Sequence, residues 1–136
     1  MSHFVLAVVL VVAAFDAIVG VWLLFGARPF EANGPGTLWS RDGAAAWERA
    51  PALIESLYRR LGAFSFHTGV ATAVWAILSR DDPQRMLALL VTYTLTGLAF
   101  FANDRKFFAG TRYFVVKQAL GALWTAALIA QIALMT

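Results

Sequence analysis

Apolar residues run along this chain in four long blocks, at residues 4–26, 61–78, 86–102 and 114–135, separated by stretches where charges and turn formers gather. Within each block the pattern is continuous, without the alternation of a strand that has one wet face. A hydrocarbon layer about 30 Å thick is crossed by roughly 17–25 helical residues, so each block is long enough to span it. Backbone groups at that depth must be satisfied within the segment, which selects helices where no closed barrel can form. The pattern therefore predicts an all-α integral membrane four-helix bundle, a single domain over residues 1–136. The first block does not read as a cleaved signal peptide, because no Lys or Arg precedes it and it is too long for an h-region.

The connections agree with that division. In Arg80-Asp81-Asp82-Pro83, Asp82 is placed to cap the third helix, with Pro83 at its first position, where the missing N–H costs nothing. Gly110-Thr111 offers a similar start to the fourth helix, and Asn33-Gly34-Pro35-Gly36 marks a turn in the longer first connection. After that turn, residues 44–60 mix Trp47, Leu53, Ile54, Leu57 and Tyr58 with Glu48, Arg49, Glu55, Arg59 and Arg60. Such a mixture predicts a short interfacial helix between the first and second spans, either separate or continuous with the second, with Pro51 limiting its regularity.

Composition sharpens the class. Hydrophobic residues make up 60% and charged residues 14% of the chain, against roughly half and a quarter in soluble domains. A chain this short has too little interior to hide so much apolar surface from water. The absence of Cys excludes disulfides, thiolate metal sites and thiol redox chemistry. A net charge of +3 is not read as a nucleic-acid footprint, because the basic residues fall between the apolar blocks without clustering. They follow topology instead. The first and third connections with their flanking helix ends hold nine Lys and Arg, from Arg28 to Lys117, the second holds only Arg80 and Arg85, and the termini hold none. Positive residues stay inside, so a multi-pass protein with both termini outside is expected. The same inner edge carries most of the aromatic residues, as interfacial anchors or as the mouth of a pocket.

Candidate chemistry lies inside the blocks. Asp16 sits about one residue past the middle of the first span, and His67 two or three residues to the inner side of the middle of the second. Antiparallel helices with a rise of about 1.5 Å per residue bring the two to nearly one depth. Tyr93 and Thr96 of the third span reach the same layer. An Asp at the centre of a spanning helix costs about 2.5–3.5 kcal/mol on insertion scales, so Asp16 demands a partner or a proton. His67 is the expected partner, facing Asp16 inside the bundle as a titratable pair suited to acid–base catalysis. The competing reading is that such groups are glue between helices, which suits Thr92, Thr94, Thr96 and Thr125 best. Lys117 either snorkels to the inner interface or closes an inner pocket. Arg59 and Arg60 could attract a polar head there. Gly62, Gly69, Gly97 and Gly121 allow close backbone approach, within the bundle or between chains of a homo-oligomer or larger membrane complex.

Other constellations fail. His3 and His67 lie at different depths, so one chain cannot clamp a haem between them, and the spans hold no Glu for a di-metal carboxylate site. Zinc-protease, phosphate-loop and serine-nucleophile motifs are missing. No metal or cofactor is expected.

The plan of the chain resembles the DoxX-like group of small bacterial four-helix membrane proteins. The likeness rests on Gly20 followed by Phe25-Gly26-Ala27-Arg28-Pro29, on Tyr58-Arg59-Arg60-Leu61-Gly62 opening the second span, on the Arg80–Pro83 connection and on the closing apolar helix. It covers most of the chain as a pattern of spacing, and it implies a bundle in the bacterial inner membrane. Some of that group resemble subunits of quinol-oxidising or thiol-redox assemblies, and the lack of Cys removes the thiol version here. The resemblance transfers no site residue. Taken together, the residues predict a bundle that holds an apolar or lipid-like small molecule in an intramembrane polar pocket. In it Asp16 and His67 are catalytic in isomerisation, cyclisation or hydration, and Tyr93, Thr96, Lys117, Arg59 and Arg60 bind the substrate. The alternatives are a non-catalytic accessory subunit of a larger membrane complex, or a proton-coupled carrier built as an oligomer.

Overall fold

Four helices account for nearly all of the chain that the computed structural model describes, residues 3–26, 50–108 and 112–136. They are α1 (His3–Phe25), α2 (Pro51–Leu78), α3 (Pro83–Phe108) and α4 (Arg112–Ala133). Each contains a stretch long and apolar enough to cross a membrane. Large apolar side chains such as Ile18, Phe25, Leu78 and Leu95 stand on the outer faces of the bundle, where lipid would solvate them at no hydrophobic cost.

Helix ends follow the chemistry of their residues. Asp82 caps α3, its Oδ1 accepting the backbone N–H groups of Gln84 at 3.1 Å and Arg85 at 3.0 Å, and Pro83 takes the first position as expected. Pro51 starts α2 in the same way. Residues 51–60 are therefore the first turns of α2 and no separate interfacial helix; residues 44–49, the turn at 33–36 and the Gly110-Thr111 start lie outside the described residues. At the C-terminus of α1, where the last carbonyls lack intrahelical donors, the Arg59 guanidinium donates to the carbonyl oxygens of Leu23 at 3.0 Å, Leu24, and Gly26 at 3.5 Å. Glu55, one turn earlier on α2, holds the same guanidinium at 3.3 Å.

Packing is uneven. α1 lies along α2 for most of its length, α4 touches both α1 and α3, and α2 and α3 scarcely meet. The α1–α2 contact depends on glycine. A Cβ at Gly69 would fall 2.5 Å from the Ala13 carbonyl oxygen and the Ala17 nitrogen, and one at Gly62 would fall 2.7 Å from Leu23 Cβ. Gly20 presses on the Phe66 backbone in the same way. Gly97 and Gly121 differ: nothing lies within 4 Å of a Cβ at either.

The compact core, built from Val5, Val9, Ala76, Met86, Leu90 and Trp124, fills the half of the bundle that holds both chain ends and the α2–α3 turn. Gln131, 1% exposed, ties the end of α4 to the start of α3 by donating to the Pro83 carbonyl at 3.1 Å. The opposite half, towards the α1–α2 and α3–α4 connections, is hollow.

Candidate functional site: a polar cavity between the four helices

The hollow is a cavity of about 900 Å³ with walls from all four helices. It opens where α2, packed along α1, scarcely meets α3. Asp16 is on the buried face of α1, in register with Val5, Val9, Val12 and Leu23, and it lines the cavity. From α3, Tyr93 donates its hydroxyl to Asp16 Oδ2. From α2, the Ser65 hydroxyl donates to the Asp16 backbone carbonyl at 2.9 Å. The layer of polar groups foreseen from helical depth thus exists, with Tyr93 as the partner of the carboxylate.

Tyr93 is itself held firmly. Its ring stacks on Trp124 of α4 with centroids 4.3 Å apart, and the Trp124 indole N–H is shared between Thr94 Oγ1 at 3.1 Å and the Leu90 carbonyl at 3.3 Å. Two aromatic rings and a bifurcated hydrogen bond therefore fix the phenol that meets Asp16. Carboxylate and donor are preorganised, without the cost of ordering them when a ligand arrives.

A second polar pair stands nearer the α3–α4 connection. The Lys117 ammonium donates to Asp104 Oδ2 at 3.0 Å, and Asp104 is only 5% exposed. The ammonium also lies over the rings of Tyr113 and Phe100, 5.3 and 5.8 Å from their centroids, within the range of cation–π attraction. Lys117 has therefore not snorkelled away. It is neutralised across α3 and α4, and both members of the pair line the cavity.

The expected site residues separate into two groups. Asp16, Tyr93, Thr96 and Lys117 share the cavity wall, although the Thr96 hydroxyl is engaged with the Thr92 carbonyl at 3.0 Å. His67, expected opposite Asp16, is exposed on the outer face of α2 and does not line the cavity. At 3.6 residues per turn it points roughly 160° away from Gly69, which marks the α1-facing side. Matching depth did not ensure matching direction. Arg59 is occupied with the end of α1 and Arg60 is exposed; neither lines the cavity. Sequence reasoning missed Ser65 and Trp124 as supports of the site, and Asp104 as the partner of Lys117. The spacing of Gly62 and Gly69 carried the missing signal, since it fixes the α1-facing stripe of α2 and puts Ser65, not His67, near it.

Comparison with protein-family models, with curated proteins and with solved structures gives no match.

Proposed function

We propose that this is a multi-pass membrane protein that binds an apolar or lipid-like small molecule within the bilayer, in the cavity where Asp16 and Tyr93 meet. The observation that carries this reading is the cavity itself. Its volume of about 900 Å³ falls in the range of small-molecule sites, roughly 300–1,000 Å³, and it combines an apolar lining with a few convergent polar groups as such sites do. An accessory subunit that served only to pack against a larger complex would have no need of such a space. In the proposed topology the basic connections face the cytoplasm of a bacterial cell, the termini face outward, and the cavity occupies the inner half of the bundle. Asp16 and Tyr93 can also exchange a proton with a bound molecule, which brings isomerisation, cyclisation and hydration within the chemistry of the site. His67 has no part in it.

Gly97 and Gly121 provide the test. Both line the cavity, and a side chain grown from either enters open space. A brominated C10 alcohol, added to the protein in nanodiscs of neutral lipid, is expected to quench tryptophan fluorescence, with the site-specific part disappearing in Trp124→Phe. Gly97→Leu combined with Gly121→Leu should remove that Trp124-dependent quenching while helical content and thermal unfolding are retained. Undiminished quenching in a folded double variant would overturn the proposal.

A further inference from the structure

Acidic groups outnumber basic ones in the cavity. Among its described lining residues the ionisable groups of acidic or basic type are Asp16, Asp104 and Lys117, two carboxylates against one ammonium. The ammonium is in hydrogen-bonding contact with Asp104 and reaches Asp16 only through longer-range attraction. Among the described residues Asp16 has one neutral side-chain donor, the Tyr93 hydroxyl, on Oδ2. Arg59 and Arg60, the nearby cations on α2, are directed elsewhere.

A carboxylate in a low-dielectric space with one hydrogen bond is far from satisfied, because each of its oxygens can accept about two. Whatever enters the cavity is therefore selected by what it brings to Asp16. An anionic head adds to the excess negative charge. A hydroxyl brings one further neutral donor. A protonated amine brings both the donor and the compensating charge. The walls favour the same choice. Tyr93, Trp124, Phe64 and Phe100 line the space, and aromatic faces attract organic cations. Lys117, already lodged over Phe100 and Tyr113, shows that the walls accept an ammonium group.

Building on the binding function proposed above, we infer that the cavity is selective for lipophilic amines in their protonated form, with Asp16 as the counter-ion and the aromatic walls around the cationic head. Lys117 serves to neutralise Asp104, not to draw in an anion.

The experiment is displacement of the brominated alcohol by three probes of one chain length: decylamine, decanol and decanoate. Nanodiscs of neutral lipid are used, with each concentration expressed as mole fraction in the lipid. Decylamine is expected to displace the alcohol at about tenfold lower mole fraction than decanol, the scale of one added charge-assisted contact, and decanoate to be the weakest. Asp16→Asn should bring decylamine to within about twofold of decanol, and Asp16→Glu should preserve the preference. Decanol or decanoate equalling decylamine on the natural chain overturns the amine selectivity and leaves the cavity intact as a binding site. That comparison needs no variant to fold. Loss of the Trp124-dependent signal with the brominated alcohol itself would instead remove the binding function on which the selectivity rests.

Discussion

The two halves of the bundle are made from the same kinds of residue and do opposite things with them. In the half that holds the chain ends, Val5, Val9, Met86, Leu90 and Trp124 close into a core, and the polar groups tie helices together, as Gln131 does by donating to Pro83. In the other half the α1–α2 pair and the α3–α4 pair remain apart around a space of about 900 Å³. Glycine makes the same division between helices. Gly20, Gly62 and Gly69 are filled by the facing backbone of α1 or α2, whereas Gly97 and Gly121 face nothing within 4 Å. A small residue in a membrane helix is therefore not by itself evidence of contact. It brings backbones together where both helices present a small-residue stripe, and it leaves a void where the partner is held elsewhere.

The sharpest way to break this comparison is to put the same large side chain at one glycine of each kind. Gly69→Leu drives atoms into the backbone of Ala13 and Ala17, and the cost should be at least about 3 kcal/mol, the upper end for overpacking, because a facing backbone cannot rotate away. Gly121→Leu should change stability by less than about 1 kcal/mol, since the side chain enters free space and a helix interior prefers Leu to Gly. Unfolding in mixed detergent micelles measures both. Equal losses at the two positions would mean that the α1–α2 interface and the cavity face of α4 are packed alike.

A smaller effect is expected at the ion pair. Lys117→Met leaves Asp104, 5% exposed, without its ammonium. Breaking a fully buried pair costs about 3–5 kcal/mol, and the partial exposure of Lys117 should reduce this to about 2 kcal/mol. Adding Asp104→Leu to the same chain should restore most of the loss, because two apolar groups replace two charges. If the double variant is no more stable than Lys117→Met, the pair is not the unit described.

Much of this architecture could be read from the sequence, and the reasons for the rest are specific. The spans were visible because crossing hydrocarbon requires an unbroken apolar run. The extension of α2 back to Pro51 was one of two readings of residues 44–60 and could not be chosen, because Glu55, Arg59 and Arg60 end the apolar run while the hydrogen-bonded helix continues beyond it. Asp16, Tyr93 and Thr96 were placed in one layer by counting helical rise alone. Lys117 was seen but read from a single helix, where snorkelling is the default; its bond to Asp104 depends on how α3 and α4 pack. His67 passed the test of depth and failed that of direction. Rise is a property of one helix, but which face turns inward is decided between helices, and glycine spacing was the local sign of that decision.

The hydrogen bond between Tyr93 and Asp16 should be worth less again. Polar contacts between membrane helices average about 0.6 kcal/mol and reach about 1.7 in one well-studied bundle, so Tyr93→Phe is expected within that range. Asp16→Asn combined with Tyr93→Phe should be less damaging than the sum of the single changes, because both remove one contact. Strict additivity in thermal unfolding would separate the two residues.

The smallest effect is expected at His67, and it decides whether depth or direction controls the site. Placed opposite Asp16, the imidazole would be one half of a buried titratable pair, and His67→Leu would leave the carboxylate without it. Placed on the outer face of α2, where the structure has it, the same change exchanges a polar ring for an apolar side chain at an exposed position. Exposed substitutions away from special features usually stay within about 0.5 kcal/mol. In the proposed membrane setting, removing a polar group from that surface should move stability upward. His67→Leu is accordingly expected to leave thermal unfolding unchanged or slightly raised, and to leave the displacement order of decylamine, decanol and decanoate as it is in the natural chain. A loss above about 1.5 kcal/mol, beyond what an exposed position accounts for, together with a changed order, would return the imidazole to the cavity and remove Tyr93 as the sole side-chain partner of Asp16 among the described residues.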